Sequence, residues 1–250
     1  KKRREKLRGK RLTKMNTESE PKLYLSTPHR CPYLAGKTAS TLLLDPARRV
    51  DAALFGALLK AGFRRSGASI YRPHCGNCQA CVSVRVPARE YRPNRAQRRA
   101  IARNRDVRSE IKPAAFAREH FELYCRYQSW RHRGDLMDHS DPAQYRESMV
   151  RSSVETVFME HRLNGKLAAV SVCDLPEDGM SAVYTFFEPE LHARSLGTFA
   201  ITRQIEYVRG MDLEWLYLGH WVRGCAKMDY KINFRPIFGF VRGEWQLLRM

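Results

Sequence analysis

The sequence lacks any long apolar run, and that absence excludes one class of protein at once. No stretch of 18 apolar residues occurs in the 250-residue chain, whereas a helix that crosses a bilayer needs about 20. The N-terminus is basic and no apolar stretch follows it, so no secretory signal is expected. These absences predict a cytoplasmic protein without a membrane partner.

Acidic residues are also scarce. The chain has 45 Lys and Arg against 26 Asp and Glu, a formal net charge of +19 at pH 7. Residues 1–14 hold nine of these cations against one acid, and we set them aside as a basic tail or a tag. Residues 15–250 still carry +11, which favours polyanionic partners such as nucleic acids or acidic peptides. A solvated basic surface is the simpler alternative.

The seven cysteines do not suit a disulfide framework, because their number is odd and no secretory signal precedes them. Three of them are clustered at intervals of three residues: Cys75, Cys78 and Cys81. Thiols at this spacing can turn towards one metal ion, with Cys31 as the best fourth ligand and His74 or His29 as the second choice. Zinc and an iron–sulfur cluster both suit such a set. Three reduced cysteines packed at the start of a strand are the alternative.

Hydrophobic periodicity predicts an α+β fold divided near Pro113. Residues 15–112 form a smaller, cysteine-containing N-terminal module, and residues 113–250 form the larger second part. The second part has the order strand, hairpin, strand, turn, strand, loop, helix, strand, with a tight turn at Asn164-Gly165. This order matches the core of GNAT-like acyltransferases, although other α+β domains share it.

A basic helix is predicted from about Asn94 to Asn104. Residues 85–108 contain nine Arg and only two acids. At about 100° per residue, five arginines fall on one side of the helix and form a ridge that suits a phosphate backbone. These are Arg95, Arg98, Arg99, Arg103 and Arg105. A solvated helix face is the alternative, although exposed helices usually mix charges of both signs.

Three further cationic groups suit anionic partners. The first lies beside the cysteine cluster and could recognise an acidic side chain next to a free amine. It comprises Arg64, Arg65, Arg72 and His74. The second is a loop at a helix N-terminus, with Arg194 and Gly197, whose free backbone N–H groups could bind the terminal nucleotide of a tRNA. The third is a predicted helical face that could bind a phosphate and a base. It comprises Lys227, Tyr230 and Lys231.

Together these segments closely resemble the bacterial aspartate/glutamate leucyltransferases, relatives of the eukaryotic arginyl-tRNA–protein transferases. The resemblance covers about residues 23–245. The matching stretches are Cys-Pro-Tyr-Leu at 31–34, Gly-Phe-Arg-Arg-Ser-Gly at 62–67, Tyr-Arg-Pro-His-Cys at 71–75, Cys-Gln-Ala-Cys-Val at 78–82, Arg-Tyr-Gln at 126–128 with His132, Tyr-Thr-Phe-Phe at 184–187, Arg-Ser-Leu-Gly-Thr at 194–198, Lys-Met-Asp-Tyr-Lys at 227–231 and Phe-Arg-Pro at 234–236.

The resemblance implies transfer of leucine from leucyl-tRNA to proteins that begin with Asp or Glu, which marks them for N-end rule degradation. It also implies a GNAT-like catalytic domain. The eukaryotic relatives carry cysteines where this chain has Leu34 and Gln79, so their metal ligands cannot be carried over.

An aminoacyl ester is already activated, so the transfer requires no cofactor. The acceptor α-amine, with a pKa of about 8, must lose a proton to attack. Glu188 and Asp229 are the candidate proton acceptors, and Tyr184 could orient the amine. A CoA-dependent N-acetyltransferase of the same fold and a non-enzymatic tRNA-binding zinc module are the competing hypotheses.

Overall fold

The computed structural model describes residues 21–131 and 141–249. The predicted basic tail and His132 lie outside these residues. Helices and a large mixed sheet are both present, so the predicted mixture of α and β structure is confirmed. None of the described helices combines the length and the apolar character that a bilayer crossing requires.

The N-terminal part contains a small antiparallel sheet. Its described elements are β1 (Leu23–Leu25), β2 (His29–Arg30), β3 (Thr38–Ala39), β4 (Thr41–Leu44), α1 (Ala52–Lys60), β5 (Arg64–Ser66) and β6 (Ser69–Pro73). Four strands pair in the order β1-β4-β6-β5 among the described residues, and β2 pairs with β3 separately. Asp51 caps the N-terminus of α1, because its carboxylate accepts a hydrogen bond from the Leu54 amide at 2.8 Å.

The remaining described elements build the large sheet and its helices. They are β7 (Cys81–Pro87), α2 (Arg95–Arg103), β8 (Val107–Pro113), α3 (Arg118–Arg131), α4 (Pro142–Tyr145) with a π-turn (Arg146–Val150), β9 (Thr156–Leu163), β10 (Lys166–Asp174), β11 (Gly179–Phe187), a 3₁₀ helix (Pro189–Arg194), α5 (Leu196–Gly210), β12 (Trp215–Val222), a second 3₁₀ helix (Ala226–Asn233), β13 (Phe238–Val241) and β14 (Glu244–Leu247). Eight described strands pair in the order β14-β13-β7-β12-β11-β10-β9-β8.

The large sheet does not begin at the predicted boundary after residue 112. β7 lies between β12 and β13, and β8 forms an edge beside β9, so residues from the predicted N-terminal module complete the sheet. Alternate residues of β10 pack on its two faces. Val170 and Val172 face the cluster under α3, whereas Ala169 and Cys173 join clusters that include α5. The candidate site lies where the small sheet meets the centre of the large one.

Candidate active site

β11 and β12 run parallel at one end and then separate. Within the described residues they pair only through Gly179–Ser181 and Trp215–Tyr217. Each strand then has one extra, unpaired residue. In β11 this is Val183, opposite β10, and in β12 it is Leu218, opposite β7. Bulges of this kind bend a strand and interrupt its pairing. We call the resulting opening, between Val183 and Gly219, the wedge.

The guanidinium of Arg64 occupies the wedge. Its Nη2 donates a hydrogen bond to the Val183 carbonyl at 3.4 Å. A Cβ atom on Gly219 would lie only 1.9 Å from its Nη1, and Gly219 has a φ of +71°, which favours glycine. Within the described part of the chain Arg64 forms no ion pair. A partly buried positive charge therefore faces the opening.

Two further basic side chains lie close to Arg64, and both are buried. Lys231 donates from Nζ to the backbone carbonyl of His220 at 2.6 Å. Burial, followed by the charges of Arg64 and Lys231, lowers the pKa of His220 well below its ordinary value. Burial and then Arg64 also lower the pKa of Lys231. Arg64 is therefore the dominant fixed charge of this group.

A cavity of about 940 Å³ opens between the small sheet and β7. Arg72 and His74 border this cavity, as the predicted acceptor-binding role requires. Arg72 stacks over the Phe63 ring at 5.0 Å and donates to the Ala61 carbonyl at 2.6 Å, so its guanidinium has a fixed position. His220 also lines the cavity, which therefore reaches the residues beside the wedge.

Arg65 does not belong to this pocket, and its predicted role in acceptor binding is wrong. Only 1% of the residue is exposed. Its Nε and Nη2 donate to the Asp174 carboxylate at 2.8–3.0 Å, and Nη1 donates to the Gly67 carbonyl at 2.8 Å. Thr156 also donates to Asp174 at 2.7 Å. Arg65 is part of a buried ion pair that joins β5 to β10.

The cysteine cluster borders the same cavity. The four predicted ligands all lie on its wall: Cys31, Cys75, Cys78 and Cys81. Burial, followed by the neighbouring thiols of Cys31, Cys75, Cys78 and Cys225, raises the pKa of Cys81 to about 12. In residues 21–131 and 141–249, no three Cys, His, Asp or Glu side chains are grouped closely enough to hold a metal ion. The described side chains therefore do not form a ready ligand set, and the metal stays a prediction from the sequence.

The three predicted catalytic side chains all have partners near β11 and β12. Tyr184 follows the β11 bulge, and its hydroxyl donates to Gln128 Oε1 at 3.4 Å. Burial raises the pKa of Tyr184 above its ordinary value, so the phenol stays protonated. Glu188 accepts two hydrogen bonds from Arg126 at 2.8 and 3.0 Å, and Asp229 accepts one from the Trp221 indole at 3.0 Å. Tyr184 can therefore accept a hydrogen bond from a substrate amine but cannot act as a base.

The last predicted cationic face is only partly formed. Ala226–Asn233 is a 3₁₀ helix, which has three residues per turn rather than 3.6. Lys227 and Tyr230 therefore point the same way, but Lys231 is rotated by a third of a turn and is 4% exposed. The prediction that Lys231 contacts tRNA is wrong for this reason.

The arginine ridge of α2 is exposed as predicted. In the described residues, none of its members forms an ion pair with a carboxylate. On α2 these are Arg95, Arg98, Arg99 and Arg103, and Arg105 lies in the turn that follows the helix. Gln97 and Ala100 are the buried residues of α2, and Ala96 is exposed. The Gln97 amide accepts from Tyr91 at 2.9 Å and donates to the Asn233 carbonyl at 3.0 Å, which fixes the helix on the body.

The ridge meets the loop before α5. Arg103 donates to the Ala193 carbonyl at 2.9 Å, and Arg194 donates to Asn104 at 3.1 Å and to Asp106. Arg194 is thus partly used to hold the loop against α2. Ser195 adopts a left-handed conformation with φ +58°, and α5 begins directly after it without a side-chain cap. Gly197 lies in the first turn of α5.

The sequence prediction missed Gly219, which admits Arg64 to the wedge. A glycine inside a strand is a recognised sign of a bulge or of a close backbone approach, so Leu-Gly-His at 218–220 carried a usable signal. Nothing in the local sequence indicates that β7 pairs with β12, because this pairing joins segments more than 100 residues apart.

Comparisons with known proteins agree with the predicted resemblance. Two family models match: "Arginine-tRNA-protein transferase, N terminus" over residues 29–99 and "Arginine-tRNA-protein transferase, C terminus" over residues 119–240. An aspartate/glutamate leucyltransferase of Pseudomonas putida (strain GB-1) is 46% identical over 227 residues, which cover 91% of this chain and 97% of that protein. The enzyme of that name from Marinobacter nauticus is 41% identical over 89% of this chain and 94% of its own length.

Among solved structures, L-PGS from Bacillus licheniformis aligns with a TM-score of 0.46 at 8% identity. The alignment covers 60% of this chain and 50% of that one.

Proposed function

Because the chain belongs to the aspartate/glutamate leucyltransferase family, it is an aminoacyltransferase, and we propose that it moves leucine from leucyl-tRNA to the α-amine of proteins beginning with Asp or Glu. The modified protein then begins with leucine and enters N-end rule degradation. We propose the cytoplasm, where charged tRNA is available, as the place of reaction.

One observation carries this proposal: His220 lines the cavity and is close enough to Arg64 in the wedge for the Arg64 charge to add to burial in lowering its pKa. The Arg64 guanidinium contacts Val183 and Gly219 in the wedge. Its charge also acts on Tyr33, a residue of the cavity wall. An acceptor bound in the cavity can therefore present its N-terminus to an ester bound in the wedge, and the charge between them is positive.

We propose that Arg64 and Arg72 pair with the acidic side chain of the acceptor, with His74 at the cavity rim. A guanidinium donates two parallel N–H groups to a carboxylate, and such pairs discriminate strongly when partly buried. A neutral first residue would leave the Arg64 charge without a counterion, so the same arrangement rejects it.

On the donor side, we propose that the α2 ridge binds tRNA phosphates. Arg103 and Arg194 tie the ridge to the loop before α5. Lys227, Tyr230 and the first turn of α5 at Gly197 complete the proposed contacts. The ester then lies against the unpaired edge of β11.

We propose that catalysis consists of positioning and proton transfer, without a cofactor. The neutral α-amine attacks the ester carbonyl, the C–N bond forms, and the C–O bond to the ribose breaks. Backbone N–H groups of the wedge stabilise the oxyanion, and Tyr184 orients the amine. Glu188 or Asp229 accepts the proton that the amine loses, and the ribose hydroxyl is finally protonated.

We propose that residues 113–250 with β7 form a GNAT-like core. The hairpin β9–β10, the strand β11, the helix α5 and the strand β12 follow one another as expected, and β11 and β12 separate at a bulge. Among the described strands, only this pair is parallel, which makes the opening between them the natural place for an acyl donor.

Incubation with leucyl-tRNA carrying labelled leucine tests the proposed function. Label should pass to a peptide that begins with Asp or Glu, and a peptide that begins with Asn or Gln is the matched neutral control. In the variant Arg64→Ala, the ratio of transfer to the acidic peptide over transfer to the neutral peptide should fall about tenfold or more. Acetyl transfer from acetyl-CoA in place of leucine transfer would support the rival acetyltransferase.

A further inference from the structure

Aromatic rings line a path from the wedge to the α2 ridge. Tyr184 lies next to the Val183 bulge, and its ring centroid is 6.4 Å from that of Tyr127. Tyr127 is 4.9 Å from Phe187 and 6.1 Å from Trp130. We call these rings, with His192, the aromatic ladder.

The outer end of the ladder is open to solvent. Trp130 is 41% exposed, and its aromatic ring gives a ligand a large, rigid contact surface. Its ring lies 6.2 Å from that of His192, at an interplanar angle of 33°, and 5.8 Å from that of Phe187. His192 is exposed as well. Part of each ring is therefore accessible at the surface.

The ladder also joins the arginine ridge. His192 precedes Ala193, whose carbonyl accepts the Arg103 hydrogen bond. Near the inner end, burial raises the pKa of Tyr127 and the charge of the nearby Arg131 opposes that rise. Positive charge is therefore present at both ends of the path, which suits a polyanion that follows it.

We propose that the unpaired 3′-terminal nucleotides of the donor tRNA stack on Trp130 and His192 on their way to the wedge. The inference rests on the proposed function, in which the tRNA duplex binds the ridge and the ester lies in the wedge. It assigns a binding place to the unpaired nucleotides that connect the two. Double-stranded RNA presents no base faces, so only an unpaired end can use the ladder. Stacking on aromatic rings tolerates any base and needs no hydrogen-bond code.

Fluorescence of an RNA hairpin tests the proposal directly. The probe is a tRNA acceptor-stem hairpin with four unpaired 3′ nucleotides and 2-aminopurine at the last position. Stacking quenches this base, so the wild-type protein should lower its emission. A blunt hairpin with 2-aminopurine inside the stem is the control probe. Its base is already stacked between its neighbours, so the protein should leave its low emission unchanged.

The variants Trp130→Ala and His192→Ala should lose most of the quenching, and Trp130→Phe should keep part of it. Tyr24→Ala is the matched control, because Tyr24 is a 51% exposed aromatic residue on β1 in the other sheet. In leucine transfer, Trp130→Ala should raise KM for leucyl-tRNA about tenfold and leave kcat at saturating tRNA close to wild type. Thermal melting confirms that each variant is folded. If Trp130→Ala does not fold, the quenching by His192→Ala tests the proposal instead.

Equal quenching by wild type and both alanine variants overturns the inference, and so does a wild-type protein that quenches the blunt probe as strongly. Absence of wild-type quenching overturns it too. Failure of the proposed function has a different signature, since no leucine would then reach the peptide whatever the hairpin shows.

Discussion

Arg64 and Arg65 are adjacent in the chain, but their guanidinium groups lie in different environments. Arg65 is fully buried against Asp174, whereas Arg64 reaches the wedge. Removing one partner of a buried ion pair leaves the other charge without compensation and costs about 3–5 kcal/mol. We expect Arg65→Ala to lose stability of this size in urea unfolding, and Arg64→Ala to remain close to wild type. A stable Arg65→Ala protein that fails only with acidic acceptors would restore Arg65 to the pocket.

Gly219 permits a second test at a single residue. An alanine Cβ there would overlap the Arg64 guanidinium, so Gly219→Ala should expel it from the wedge and lower kcat/KM for an Asp-peptide about 100-fold. Gly165 is the matched control: its φ is +81°, and no atom lies within 4 Å of the position that an alanine methyl would occupy. Both alanines add about 1 kcal/mol of backbone strain, which urea unfolding measures. Equal kinetic losses in the two variants would remove the special role of Gly219.

At the level of elements, α2 should set the salt dependence of tRNA binding. Arg95 and Arg99 are exposed on its ridge, and each phosphate contact contributes about one unit to the slope of log K against log salt. We expect Arg95→Ala with Arg99→Ala to reduce that slope by about two. Arg118→Ala with Arg151→Ala removes the same charge from residues paired to Glu122 and Glu147, and the slope should not change. Titrations of tRNA at several salt concentrations measure both.

Individual elements were predictable where local chemistry decides them. Asn94 forms the capping box of α2 with Gln97, and Asn164-Gly165 has the positive φ values of a tight hairpin turn. Lys231 shows the limit, because sequence spacing cannot distinguish a 3₁₀ helix from an α-helix. The insertion of β7 into the large sheet and the burial of Arg65 also escaped prediction, since both depend on partners distant in the chain.

At the scale of the whole molecule, the positive charge is unevenly used. Arg65 is neutralised inside the body, and exposed pairs such as Arg162 with Glu119 balance part of the surface. The ridge arginines and Arg64 have no such partner in the described chain. The two surfaces proposed for tRNA and for the acidic acceptor therefore both keep positive charge that no protein carboxylate in the described chain balances.

A buried histidine in β9 of the large sheet should make stability depend on pH. His161 is completely buried between β8 and β10. Its Nδ1 lies 2.8 Å from the Ser109 hydroxyl. Burial, with a smaller effect of Arg203, lowers its pKa from 6.5 to about 3. Between these values the unfolded chain binds a proton that the folded protein does not. His161 therefore favours the folded state above pH 6.5, and this contribution is lost as the pH falls towards 3.

The variant His161→Gln removes this titration and keeps a polar side chain near Ser109. Below pH 6.5, the free energy of unfolding should fall more steeply in wild type, by up to about 1.4 kcal/mol per pH unit. Urea unfolding at pH 7, 6, 5 and 4 measures both slopes, and the carboxylates that titrate in this range contribute equally to each. The two proteins are compared by how the free energy of unfolding changes with pH and not by its absolute value, because the substitution itself also changes packing against Phe199. Parallel slopes would mean that His161 titrates normally in the folded protein, and the buried position assigned to it would then be wrong.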